Sequence, residues 1–369
     1  MDRMIVKKIL SGFLIFTLAT GLSFGYTGND ENEQAHSSEK EKGFDPGTFI
    51  MEHVSDSYEW HILTVGETHI SIPLPIILYS KSKGLNVFMS SKFHHGHSAY
   101  HGFMIAEDGP NEGDIIELDD HGHEIEGAAL PLDLSLTKTA TALLISLLLM
   151  VWIFVSIARK YKKNPKSTPS GFQSLMEPII LFVRDDIALP SIGKKRYEKF
   201  MPFLLSVFFF ILINNLMGIF PIPPGGANVT GNIAITGVLA VFTFIITTVS
   251  ANKNYWKHIF NAPGVPWWLK FPIPLMPFIE LLGIFTKPLV LCIRLFANML
   301  AGHFIVLSFV VLIFIFGQIN WIAGYGVSVL SMVFYVFMTL LELLVAFIQA
   351  YVFTLLSALY FGMAREESH

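Results

Sequence analysis

The chain has 369 residues, 52% of them hydrophobic and only 15% charged, against about 25% charged in soluble proteins. That balance excludes an ordinary soluble fold and points to an integral membrane protein. Its single cysteine, Cys292, excludes an intrachain disulfide framework, a cysteine-based metal cluster and a lipoprotein anchor. The formal net charge of −4 hides an asymmetry: residues 30–126 hold 5 Lys/Arg and 19 Asp/Glu, and residues 127–369 hold 17 and 9.

At the N-terminus, Arg3, Lys7 and Lys8 precede the apolar run Ile9 to Leu22, which closes on small residues near Ser23-Phe24-Gly25. This layout predicts a cleavable signal peptide over 1–25; an uncleaved anchor would export the next segment just as well. Residues 26–130 read as an acidic, His-rich extracytoplasmic extension. Within it, Asn29 to Lys42 is charged and aperiodic, the composition of a disordered arm. Trp60–Val65, Thr68–Pro73, Leu85–Met89, Gly102–Ala106 and Ile115–Leu118 are short runs rich in β-branched and aromatic residues, which predict a small β-rich unit. Ten of the thirteen histidines fall between His36 and His123. Neutral imidazole is a common metal ligand, but His94-His95-Gly96-His97 lacks the fixed second ligand set of a structural site, so no metal or other cofactor is expected.

Leu134 to Ala158 is long enough for a first span. The basic residues Arg159, Lys160, Lys162, Lys163 and Lys166 directly after it put its C-terminal end in the cytoplasm by the positive-inside rule. Phe172 to Leu189, interrupted by Glu177, Arg184, Asp185 and Asp186, is too short and charged to cross and predicts a cytoplasmic surface helix. Phe200–Phe220 then returns outward, the uncharged turn Pro221–Asn232 suits the exterior, and Ile233–Ser250 comes back in. Trp256, Trp267 and Trp268 mark an interfacial belt. Two longer apolar segments, Phe278–Phe316 and Tyr325–Phe361, are joined by Gly317–Gly324. Each exceeds the roughly 20 residues of an upright span, so both must tilt or kink, as Pro288 permits. The expected fold is thus an all-α integral membrane protein with five crossing helices, a cytoplasmic surface helix and a β-rich N-terminal extension. Its N-terminus lies outside and its C-terminus, at Arg365-Glu366-Glu367, inside.

Glu280, Lys287 and Arg294 interrupt the first long segment at positions where each charge costs on the order of 2.5–3.5 kcal/mol by insertion scales. With about 100° and 1.5 Å per residue, Glu280 and Arg294 fall near one helix face at different depths. Asn298 lies one turn beyond Arg294, and His303 points to the opposite side. In the last segment, Glu342 and Gln349 share a face two turns apart. Lys287 also suits an interfacial anchor, and Asn298 an amide that glues membrane helices together.

The segment Arg294-Leu295-Phe296-Ala297-Asn298-Met299 with Ala301-Gly302, preceded by Lys287-Pro288, resembles the signature helix of subunit a of F-type ATP synthases. The likeness extends through Pro221, Asn228-Val229-Thr230 and Gln349-Ala350-Tyr351-Val352-Phe353, covering roughly residues 131–365. It implies a non-catalytic proton-channel stator in a bacterial inner membrane, with ATP chemistry in the separate F1 sector. The implied partners are a ring of proteolipid c subunits, the b-subunit peripheral stalk, the F1 sector indirectly and the lipid bilayer; no nucleic acid is implied. The residues it assigns to proton translocation are Arg294, Gln349, Glu342, His303, Glu280, Asn298 and Asn215. Gln349 would be a neutral partner near Arg294, Glu280 would serve the inner half-channel, and Asn215, His303 and Glu342 the outer one.

Two departures stand out. Many bacterial members carry Glu nine residues after the Arg and His seven before the Gln; here His303 and Glu342 are exchanged. The loop before Asn228 holds Gly225-Gly226 where an acidic residue is frequent. A secondary transporter would show related halves with broken helices, and no such repeat is present. A membrane scaffold using polar residues only for packing would tolerate loss of Arg294.

Overall fold

A computed structural model describes residues 46–65, 68–94, 96, 98–106, 111–119, 123–125, 130–163, 168–169, 171–220, 225–260 and 275–365. The expected signal peptide, the charged arm, His95, His97, Trp267, Trp268, Glu366 and Glu367 lie outside the described residues.

The amino-terminal part opens with a helix not expected from the sequence, α1 (Pro46–Val54). Strands β1 (Glu59–Val65) and β2 (Thr68–Pro73) form an antiparallel hairpin. A second sheet has the order β4–β3–β7, built from β3 (Pro75–Ser80), β4 (Gly84–Met89) and β7 (Leu132–Asp133). A third pairs β5 (Phe103–Ile105) with β6 (Ile115–Glu117). Period-2 alternation sends Ile76 and Leu78 of β3 inward, where they pack with Phe93, Phe103 and Ile115 in a small core. The run Pro75–Ser80, not among the expected strands, is the central strand of its sheet. Buried Glu117 of β6 accepts from Ser80 (2.6 Å) and from Ser82, with the Lys83 ammonium 3.7 Å away.

Among the described residues, five helices are long and apolar enough to cross a membrane. The first of them is α2 (Lys138–Lys163). Its start is bound to the preceding unit by reciprocal caps. Lys138 Nζ donates to the His53 and Ser55 carbonyls (3.2 and 2.9 Å) at the end of α1, and the Asp56 carboxylate accepts from the Thr139 N–H (2.9 Å). A cation thus satisfies a helix C-terminus and an anion a helix N-terminus, each the favoured sign there. Trp60 of β1 is buried in the same core as the membrane helices.

The segment expected as a cytoplasmic surface helix is helical from Phe172 to Ile192. It comprises α3 (Phe172–Phe182), a π-helical stretch Val183–Ala188 and the short α4 (Leu189–Ile192). Pro190, which has no N–H for the i→i−4 ladder, comes just after the π turn. Val183, Ile187 and Ala188 are fully buried in the main core, while Arg184 and Asp185 pair on the outside (2.8 Å). One face of this segment is thus seated in the bundle, with the ion pair on the other.

Next come α5 (Tyr197–Ile219), α6 (Ile233–Ser250) and the short α7 (Lys253–Phe260). Helix α5 is the most enclosed, with Leu204, Phe208, Phe209 and Ile211 essentially inaccessible. The turn before α6 packs into the bundle. Ala227, Asn228, Val229 and Thr230 are all buried, so this stretch folds back into the core.

The last two helices, α8 (Leu275–Ile319) and α9 (Trp321–Ala364), form an antiparallel hairpin of 45 and 44 residues. At about 1.5 Å per residue each is roughly twice the thickness of a bilayer core. The glycine-bounded linker expected between them shrinks to one non-helical residue, Asn320, whose side chain caps Ile322 N–H (3.1 Å). A Cβ on Gly324 would stand 2.8 Å from Gly317 Cα, so the tip closes only with hydrogen at position 324. Helix α8 continues through Pro288. At its far end Phe314 meets Phe49 of α1, ring centroids 6.1 Å apart.

Candidate functional site

Three cross-hairpin contacts set the register of α8 against α9. Phe309 stacks on Phe334 (5.4 Å), His303 meets Glu342, and the Lys287 ammonium lies over the Tyr360 ring (5.7 Å). Asn298 is thereby level with Gln349, and Arg294 with the turn Tyr351–Phe353.

Arg294 is exposed on the surface of the chain and makes no hydrogen bond or ion pair among the described residues. Its exposed neighbours on that face are Val290, Ile293, Ala297 and Asn298, the helical spacing of one stripe. Behind it, Leu291, Leu295 and Met299 are buried. Cys292 seats α8 on the start of α6, its sulfur 3.5 Å from Thr236 Oγ1. Packing thus consumes one side of α8 and turns the guanidinium outward.

Gln349 does not join it. Its side chain is buried, at 6% exposure, and has no hydrogen-bond partner among the described residues. Helical spacing places Gln349 near Arg294 in depth, but Gln349 is buried where Arg294 is exposed. Asn298 is exposed and bonds to no other described residue.

Toward the α8–α9 tip, a buried polar cluster gathers from three helices and the infolded turn. His303 Nδ1 lies 3.0 Å from Glu342 Oε1 and 3.1 Å from the Met299 carbonyl. A carbonyl can only accept, so the Nδ1 hydrogen is directed to Met299, and Glu342 Oε1 has no donor among the described residues. The carboxylate reaches this place because residue 302 is glycine: a Cβ there would stand 3.0 Å from Oε1. The opposite side of the imidazole faces Gly218 of α5. One turn back along α5, Asn215 donates to the Ala346 carbonyl (3.4 Å) and accepts from Thr230 (2.6 Å). Asn214 Oδ1 and Asn228 Nδ2 are buried without partners among the described residues. Because α6 begins beside Cys292, this line of amides and hydroxyls runs from the His303–Glu342 pair toward the level of Arg294. The sequence assigned no role to Thr230 or Asn214, since only the infolding of the turn makes them neighbours of Asn215.

On the other side of Arg294, a cavity opens between α6, α7, α8 and α9, lined by Thr243, Thr247, Tyr255, Lys287 and Tyr360 among others. Thr243 Oγ1 lies 3.4 Å from Ser357 Oγ. Glu280 is half-buried nearby; burial first, and then the Glu280 charge, raise the Tyr255 hydroxyl above its ordinary pKa. Lys287 and Tyr360, which the sequence suggested as an interfacial anchor and as plain packing, both line this cavity. No grouping of three or more His, Cys, Asp or Glu suited to a metal occurs among the described residues.

Fold and site define a multi-pass helical membrane protein that presents a fixed cation at mid-helix, with separate polar regions on either side of it. Residues 140–362 match the family described as ATP synthase A chain, and residues 49–134 match a domain of unknown function, DUF8433. The chain belongs to the ATP synthase A chain family. ATP synthase subunit a of Chloroherpeton thalassium is 44% identical over 214 residues, covering 56% of this chain and 60% of that protein. ATP synthase subunit a 2 of Chlorobaculum tepidum is 47% identical over 213 residues, 56% of each chain. The subunit a of Myxococcus xanthus is 44% identical over 201 residues, covering 53% of this chain and 62% of the other. The chain therefore spans about 60% of the length of these relatives.

Proposed function

We propose that this chain is the proton-conducting stator subunit of the membrane sector of an F-type ATP synthase, coupling proton flow to rotation of a proteolipid ring and so to ATP synthesis. One observation carries the reading: Arg294 is exposed at the middle of a 45-residue apolar helix, on a stripe whose other exposed members are Val290, Ile293, Ala297 and the uncharged Asn298, with no counter-charge among the described residues. A guanidinium facing lipid there is costly, and it cannot shed its proton. The arrangement suits a partner surface that brings carboxylates past it, namely a ring of small c subunits. An ionised ring carboxylate is favoured beside Arg294 and a protonated one away from it. The fixed charge also bars protons from passing straight through.

In this reading the cluster of Asn215, Thr230, His303 and Glu342 is the outer half-channel. Glu342 Oε1, an acceptor short of a donor, receives the proton and His303 relays it. The cavity lined by Lys287, Tyr255 and Tyr360, with Glu280 at its edge, is the inner half-channel. Gln349, inside the bundle, serves the outer path rather than pairing directly with Arg294, and Asn298 faces the ring beside the arginine. The β-rich unit lies outside the cell membrane and the end of α9 in the cytoplasm, in agreement with the basic run after Ala158. Segment α3–α4 sits at the cytoplasmic side, where the b-subunit stalk would meet it. ATP chemistry belongs to the F1 sector.

The test is the Arg294→Ala variant, assembled with its ring and F1 partners in vesicles. Driven ATP synthesis should vanish while passive proton leak through the membrane sector persists. Synthesis at the parental rate would refute the reading.

A further inference from the structure

The amino-terminal unit, which matches a domain of unknown function, carries an apolar face of its own. In the sheet β4–β3–β7 the inward residues Ile76 and Leu78 are fully buried, but the opposite face is also apolar. Leu85 and Val87 of β4 are 65% and 62% exposed, and Tyr79, Met89 and Leu132 are exposed beside them. The register makes this one patch. Tyr79 faces Leu85 on one side and Leu132 on the other, Ile77 faces Val87, and Pro75 faces Met89. A water-facing sheet surface ordinarily alternates to polar residues, so an apolar face of this extent marks an interaction site.

Its place in the chain indicates the occupant. Pairing with β3 continues past β7: Leu134 N–H donates to the Ile77 carbonyl (2.9 Å) and Leu136 N–H to the Pro75 carbonyl (3.0 Å). Two residues later α2 begins, and α2 shows Leu144, Leu148 and Trp152 on its own outer side. The sheet is therefore held within a few residues of a membrane helix at the edge of the bundle, over the lipid that surrounds that helix. Charge argues against a second copy as the occupant. With 5 Lys/Arg against 19 Asp/Glu over residues 30–126, two such units would repel. The same charge disfavours an anionic headgroup and leaves a zwitterionic one.

We propose that the face formed by Ile77, Tyr79, Leu85, Val87, Met89 and Leu132 rests on the bilayer, its apolar side chains entering the boundary between headgroups and acyl chains beside α2. Tyr79 suits that position, with an apolar ring and a hydroxyl that reaches the headgroups. The unit is then a float fixing the height of the α1–α2 junction against the membrane.

The experiment uses the full chain with Cys292→Ser, reconstituted in phosphatidylcholine nanodiscs. An environment-sensitive fluorophore is attached at Val87→Cys, at Leu132→Cys or, as a control, at Lys81→Cys on the neighbouring turn. Labels at 87 and 132 should be blue-shifted and quenched several-fold more than the control by phosphatidylcholine spin-labelled high on its acyl chain. Quenching by aqueous iodide with no response to the lipid probe would overturn the proposal. So would protection that appears only on assembly with other subunits, the mark of a protein partner, or protection that rises with protein concentration, the mark of a second copy. The two label positions lie on different strands, so failure of one variant to fold leaves the other decisive.

Discussion

His303 Nδ1 stands 3.0 Å from Glu342 Oε1, on facing helices of the hairpin, with the imidazole hydrogen committed to the Met299 carbonyl. The pair is enclosed, with side-chain exposures of 15% and 8%. In the proposed outer half-channel, contact at this distance makes the two positions a functional pair, whichever residue occupies each. His303→Ala and Glu342→Gln should each lower ATP-driven proton pumping strongly. The exchanged double variant, His303→Glu with Glu342→His, should recover most of it. Coupling between touching residues is typically about 0.5–3 kcal/mol, so the double variant should exceed the product of the single effects by about 2-fold to 100-fold. Strict additivity would show that the two groups do not share a path.

Gly302 should tolerate a methyl but not a branched side chain. A methyl at this position meets Glu342 Oε1 at 3.0 Å, which the end of a flexible side chain can relieve by a small shift, whereas a branched side chain cannot be relieved that way. Gly302→Ala should retain most pumping and Gly302→Val should lose it, with an overpacking cost of about 1–3 kcal/mol. Pumping rates alongside thermal melting of the two variants separate displacement of Glu342 from loss of fold.

The amino-terminal unit should weaken in acid. Burial alone would raise the Glu117 pKa, but hydrogen bonds from Ser80 and Ser82 and the nearby Lys83 outweigh it, and the net shift is downward. A carboxyl depressed in the folded state lends stability that is present above its unfolded value, about 4.3, and is lost as pH falls through the lower folded value. Amide hydrogen exchange over residues 76–118 should therefore quicken below that pH in the native chain. In Glu117→Gln the same segment should be less protected at neutral pH and should lack that step.

Removing the cation at the α1–α2 junction should free α1. Lys138→Met leaves the His53 and Ser55 carbonyls without their donor, at a cost of about 1 kcal/mol per hydrogen bond lost. Exchange over residues 46–54 should accelerate while the α8–α9 hairpin remains protected. Unchanged exchange over α1 would show that its contact with α8, through Phe49 and Phe314, suffices to hold it.

The order of residues alone was enough to establish the membrane class, the number of apolar helices long enough to cross, the Arg294 helix and the polar residues near it in depth. Hydrophobic length and helical spacing are local quantities, readable one segment at a time, and α6 was bounded at Ile233 and Ser250 on that basis. Which side of each helix meets the bundle came only from packing between segments. Gln349 turned inward and Arg294 outward although their depths are close, because Leu291 and Leu295 claim the buried side of α8. The uncharged turn before α6 gave no sign of its packing, yet Ala227 to Thr230 fold into the core, and Thr230 reaches Asn215 only there. Segment 172–192 carried too much charge to read as a crossing helix, but its seat in the bundle, where a π turn gathers Val183, Ile187 and Ala188 on a single buried face, was not legible. In each case the missing information was a contact between residues far apart in the chain, and periodicity within one segment does not encode such contacts.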